Sequence, residues 1–110
     1  MSTRATVHFN YGDKTRAIIY RHSDGYPDGL GKDLERFLDD VSKLNDTRFR
    51  DPSYLAAKFV VWQANEYADK DNRLNFLSLG VCIDDTGDIE YVYILDCSSD
   101  KRPEVKCKRI

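Results

Sequence analysis

The hydrophobic period of this chain changes twice, and those changes constrain its fold more than any motif does. From Arg4 to Phe9, Ala5, Val7 and Phe9 alternate with the polar Thr6 and His8, the two-residue period of a half-buried strand. "YGDK" reads as a turn and "TRAIIYRH" as a second strand of β-branched and aromatic residues, so residues 4–22 predict a hairpin. The period then lengthens: Leu30, Leu34, Phe37, Leu38, Val41 and Leu44 recur at helical spacing. Pro27 suits the first turn of that helix, with Ser23, Asp24 or Tyr26 in its cap region. "RDPSYLAAKFVVWQANEYA" predicts a second helix, with Asp51 as cap and Pro52 at the first helical position. Its apolar face carries Leu55, Phe59, Trp62 and Tyr67 and is widened by Val60 and Val61, so this helix is expected to be the more buried.

After the polar break "DKDN" the two-residue pattern returns. "LNFLSLGVCI" reads as a strand, "DDTGD" as a turn, "IEYVYIL" as a strand and "PEVKCKRI" as an edge strand. The order β-β-α-α-β-β-β with hairpin-length connections predicts an α+β fold: an antiparallel sheet of about five strands with two helices packed on one face. At 110 residues, residues 1–110 form a single domain with one core.

Composition excludes little. With 41% apolar residues, 33% charged residues and a net charge of −2, nothing demands nucleic acid or membrane, and direct nucleic-acid binding is not expected. The last ten residues carry +4, which leaves residues 1–100 at −6. A basic end on an acidic body suits phosphate ligands or head-to-tail association; lysines along an edge strand also guard against edge-to-edge aggregation. The start "MSTRATVHF" has no apolar h-region and no window approaches a bilayer span, so a cytoplasmic protein is expected. Cys82, Cys97 and Cys107 are odd in number and lack CxxC spacing, which predicts reduced thiols, no metal and no cofactor.

The stretch "YRHSDGYPDGLGKDL", residues 20–34, concentrates the polar chemistry. If the hairpin turns at Gly12-Asp13, Val7 faces Ile18, Ala5 faces Tyr20 and Arg4 faces Arg21. Opposed arginines destabilise a ladder unless an acid or an anion lies between them, and a slip of one residue removes the pair. The loop then opens a helix whose first amides suit an anion, although Asp24, Asp28 and Asp33 also satisfy that end. The candidate ligand-binding set is Arg4, Tyr20, Arg21, His22, Asp24, Gly25, Tyr26 and Gly29: arginines for phosphate, His22 as a donor, Tyr20 or Tyr26 for stacking. On this reading Arg21→Ala removes binding with little loss of stability. The competing reading is structural, with glycines for tight turns and close packing. His8 and His22 fall on opposite faces in this register, and the acids of "DDTGD" and Asp39-Asp40 read as solvated surface.

"MSTRATVHF", "AIIYRHSDGYPDGLGKDLERFL" and "FRDPSYLAAKFVVWQ" together resemble a family of small, mostly uncharacterised bacterial and phage proteins marked by an N-terminal STR and a YRHxDGYP loop. The architecture is also similar to phage sponge proteins of the Thoeris anti-defence class. That likeness implies an oligomer that sequesters cyclic nucleotide signals without cleaving them.

Three functions are carried forward. The first is a non-enzymatic, homo-oligomeric binding protein for an anionic, nucleotide-like ligand, its helices supplying a two-fold contact. The second is a protein-interaction inhibitor acting through the acidic first helix, with Asp33, Glu35, Asp39 and Asp40. The third is a small hydrolase using His22 with Asp24 or Asp28.

Overall fold

A computed structural model describes residues 3–44, 50–67, 77–85 and 87–110. Its strands are β1 (Ala5–Tyr11), β2 (Lys14–Arg21), β3 (Leu79–Cys82), β4 (Tyr91–Asp96) and β5 (Val105–Arg109). A π-helical turn, Pro27–Gly31, runs into helix α1 (Lys32–Ser42), and α2 is Pro52–Tyr67. The α+β class and the order of elements are those expected. The "DKDN" break and the start of "LNFLSLGVCI" lie outside the described residues.

The sheet order is β3-β2-β1-β4-β5, and β1 and β4 run parallel while every other pair is antiparallel. A hairpin between β3 and β4 was expected at "DDTGD"; instead β2 and β1 separate these strands. After α2 the chain pairs with the outer side of β2, so the side of β1 away from β2 is left for β4. Its run "YVYILD" is half-buried or buried throughout, which fits a strand between two neighbours. The connection from β3 to β4 therefore crosses from one side of the hairpin to the other, and a strand that enters by such a crossover lies parallel to the one before it.

The hairpin register also shifts. The turn forms at Gly12-Asp13, with Gly12 at φ 64°, where a side chain would be strained, and Tyr11 opposite Lys14. Between Phe9 and Asn10 the pairing moves by one, because Arg16 is an extra residue on β2. Ala5, not Arg4, then faces Arg21. The shift also places His8 on the same face as Ile18 and Tyr20, correcting the expectation that His8 and His22 point to opposite faces.

Ala5, Val7, Phe9, Ile19, Tyr93 and Leu95 present one sheet face to Leu30, Leu34, Phe37, Leu38, Leu55 and Phe59. Phe37 meets Phe59 edge-on at 5.2 Å, and Trp62 stacks near-parallel on Phe59 at 6.2 Å. Contrary to expectation, α2 is not the better covered helix: Tyr54, Val61 and Tyr67 are exposed, whereas among the helical-period residues of α1 every one from Leu34 to Val41 is buried. Two adjacent valines cannot both face the core when successive helix residues point about 100° apart.

Candidate functional site

The residues between β2 and α1 form a closed polar junction. Arg21 is only 4% exposed; its guanidinium donates to Asp33 Oδ2 at 2.7 Å and its Nε to the Ser23 carbonyl at 2.9 Å. Asp33 is buried as well and also accepts from the Tyr67 hydroxyl at 2.6 Å and from Arg36 at 3.5 Å. Burial, followed by the bond to Asp33, raises the Tyr67 pKa. The positive charge that the sequence assigns to a ligand is thus matched by a carboxylate of the same chain, because α1 seats Asp33 against the end of β2.

The glycines are spent on close approach. A Cβ on Gly25 would sit 2.7 Å from Ala5 Cβ and 2.8 Å from the Thr3 carbonyl oxygen, and one on Gly29 would collide with the Asp24 carbonyl. Gly25 N–H donates to Thr3 O at 2.9 Å, and the Tyr93 hydroxyl donates to Gly25 O at 2.6 Å, binding the loop to β1 and β4. Asp24 takes φ 55°, a conformation acidic residues tolerate better than most, and its carbonyl accepts from Leu30 N–H at 2.8 Å. Its carboxylate accepts from Tyr26 at 3.3 Å. Tyr20 and His22 pair with each other, hydroxyl to Nδ1 at 3.0 Å, rather than His22 with Asp24 or Asp28. Arg4 pairs with Asp88 of the crossover. The structure therefore brings Tyr20 to His22, Asp24 to Tyr26 and Arg21 to Asp33, but it does not set Arg4 opposite Arg21.

The crossover loop is anchored where the sequence suggests only a solvated turn. Asp85 Oδ1 accepts from Thr6 Oγ1 at 2.6 Å and meets His8 Nε2 at 2.7 Å on the sheet face away from the helices. Partial burial opposes ionisation of Asp85, but the bonds from Thr6 and His8, with the attraction of His8, outweigh it and hold the carboxyl below its usual range. Thr15 Oγ1 is 3.4 Å from His8 Nδ1. No local sequence signal foretells this contact, since His8 and Asp85 are distant in the chain.

Two of the surface concavities lie at the ends of the helices and between them. A groove of about 510 Å³ between α1 and α2 has an apolar floor of Phe37, Val41 and Trp62 and exposed walls at Leu44, Tyr54 and Val61, with Asp40, Lys58 and Asn65 on its rim. Trp62 Nε1 donates to Asp40 at 2.7 Å, and Arg36 lies over the indole at 5.3 Å. A second cleft, also about 510 Å³, gathers Tyr11, Arg16, Arg50 and Ser53 around the start of α2. Asp51 caps that helix by accepting from the Ser53 hydroxyl at 2.7 Å and its N–H at 3.0 Å, which lowers the Asp51 pKa. Arg50 pairs with Asp100 at 3.7 Å. The sequence assigns a two-fold contact to the helices and counts Val61 toward the apolar face of α2, without locating this groove; the cleft at Arg16 was not singled out.

The acidic first helix is also partly matched from within. Asp33 is buried, and Arg102 of the basic tail donates to Glu35 at 3.0 Å and lies 3.1 Å from Asp39. Cys97 is packed in the core, where burial pushes its thiol up to about 11. Among the described residues no three His, Cys, Asp or Glu side chains are placed to hold a metal ion, and no helix is long and apolar enough to cross a membrane. Compared with known family models, curated proteins and solved structures, the chain has no significant match.

Proposed function

We propose that this chain is a non-enzymatic binding protein that takes an apolar-faced helix of a partner protein into the groove between α1 and α2. The observation that carries this reading is the exposure of Leu44, Tyr54 and Val61 beside the half-buried Trp62, with Asp40, Lys58 and Asn65 at the margin. An apolar, aromatic centre inside a polar rim is the anatomy of a protein interface, and a groove between helices suits a helix bearing apolar residues three and four apart. Inhibition through the acidic surface of α1 becomes, in this form, docking beside Asp40.

A photo-crosslinking residue introduced at Val61, in the cells that express the chain, tests it. An adduct is expected from Val61 and not from Asp13 in the hairpin turn; it disappears with Leu44→Asp, and the captured protein binds the purified chain. Equal adducts from both positions, or an adduct insensitive to Leu44→Asp, overturn the reading. An adduct of two copies of this chain also does so, by assigning the groove to self-association.

A second reading, the anionic nucleotide-like ligand of a sponge, is favoured by the cleft at Tyr11, Arg16, Arg50 and Ser53. Two guanidinium groups, a tyrosine for stacking and a helix start converge there, although the ligand must compete with Asp51. Thermal shift with a panel of linear and cyclic nucleotides tests this. Stabilisation lost in Arg16→Ala and strengthened in Asp51→Asn supports it, and no shift from any nucleotide ends it. For the hydrolase reading, His22 contributes a contact with Tyr20 and none with a loop aspartate among those described.

A further inference from the structure

The two borders of the sheet differ. β5 carries Lys106, Lys108 and Arg109 along its exposed length, a charged margin that disfavours pairing with another chain. β3, the opposite border, is Leu79-Gly80-Val81-Cys82 without a charge or a proline. Val81 is 81% exposed and the following Ile83 is 92% exposed, two β-branched apolar side chains open to water at a strand edge.

The backbone direction is fixed by the ladder to β2. Ile18 pairs with Cys82 and Tyr20 with Gly80, and His22 N–H donates to Ser78 O at 3.2 Å. Successive residues of an antiparallel strand direct their N–H and C=O to alternate sides, so Ser78, Gly80 and Cys82 serve β2 while Leu79 and Val81 turn theirs to the free side. Among the described residues nothing pairs with this side, so Val81 offers a donor, an acceptor and an apolar side chain on the edge.

We propose that β3 is the self-association surface of this protein: two copies pair β3 with β3, antiparallel across a two-fold axis centred on Val81. In this register each Val81 exchanges both backbone hydrogen bonds with its symmetry mate, and Leu79 of one copy comes near Ile83, in the bend just past β3, of the other. The exposed valine and isoleucine of both copies then share one apolar cluster. Charge selects the direction. A parallel pair in register would bring together the Asp84 residues that follow β3 in the two copies, whereas the antiparallel arrangement sends the two acids to opposite ends. An isologous pairing closes at two copies, and because the strand is short the dimer should dissociate on dilution.

Sedimentation equilibrium over a range of concentrations tests this with wild type, Val81→Lys and Val61→Lys. Wild type and Val61→Lys should reach twice the chain mass at high concentration, and Val81→Lys should remain at one chain mass, with a circular dichroism spectrum and Tm that match wild type at concentrations where wild type is monomeric, since its side chain is exposed. In a Cys82→Ser/Cys107→Ser background, Val81→Cys should form an intermolecular disulfide under mild oxidation, the opposed positions being within bridging distance. A wild type that stays monomeric overturns the proposal. So does a dimer broken by Val61→Lys and not by Val81→Lys, which would place the contact on the helices, or a mass rising beyond two chains, which would indicate head-to-tail pairing of β3 with β5.

Discussion

The junction between β2 and α1 and the groove between α1 and α2 are built in opposite ways. The junction is rich in residues that bind ligands elsewhere, yet its polar groups are matched: Arg21 by Asp33, the Tyr93 hydroxyl by Gly25 O, the Asp24 carboxylate by Tyr26 and its carbonyl by Leu30 N–H. The groove is made of residues that usually disappear into cores, yet Leu44, Tyr54 and Val61 remain in water. Residue type alone is a poor guide to an open site. What distinguishes the two regions is that the polar groups of the junction are answered by one another, whereas apolar side chains of the groove stay exposed.

The sharpest break in this comparison is Arg21→Met, which leaves Asp33 buried without its main cation and should cost about 3–5 kcal/mol in urea unfolding. The double variant Arg21→Met/Asp33→Leu should recover much of that loss, since an apolar pair carries no desolvation cost. If Arg21→Met is nearly neutral, the junction is not a structural clasp and a ligand role for Arg21 regains its basis.

Gly25→Ala comes next. Its Cβ must push against Ala5 and the Thr3 carbonyl, an overpacking cost of about 1–3 kcal/mol, whereas Gly87→Ala, whose Cβ would meet nothing, should stay within about 0.5 kcal/mol. Equal effects at the two glycines would contradict the close approach.

A smaller, local effect is expected of Asp85. Its pKa is depressed in the folded chain, so its contribution is complete above the unfolded carboxyl pKa of about 4 and is lost as pH falls through the lower folded value. Protection of the amides of residues 83–85 and 87–90, corrected for the intrinsic exchange rate, should therefore fall at acid pH in wild type, and Asp85→Asn should already be weakly protected at neutral pH. Exchange that follows global unfolding at every pH would remove the anchor.

The smallest effect on stability belongs to the groove. Val61→Lys replaces an exposed side chain and should change stability by no more than about 0.5 kcal/mol while abolishing partner docking. A large destabilisation would mean that Val61 packs in solution and that the groove is part of the core.

Much of the fold was legible because its signals are local. The turn at Gly12-Asp13, the helix start at Asp51-Pro52 and the apolar stripe from Leu30 to Val41 depend on neighbours within a few residues. The hairpin register was legible only as far as Asn10, since nothing near Arg16 announces the extra residue that moves Arg21 from Arg4 to Ala5. The candidate site was legible as composition and not as geometry: residues 20–29 are the polar junction, but the acid that closes it, Asp33, reads as a helix-surface residue until α1 is laid against β2.

By itself the sequence determined the class and the order of elements, because hydrophobic periodicity and turn chemistry are properties of short segments. Only the tertiary structure decided that β4 lies parallel to β1, that Arg21 is answered from within, and that Val61 and Val81 face water. Each depends on groups far apart in the chain meeting or failing to meet, and the energy of burial or pairing belongs to that meeting rather than to either residue alone.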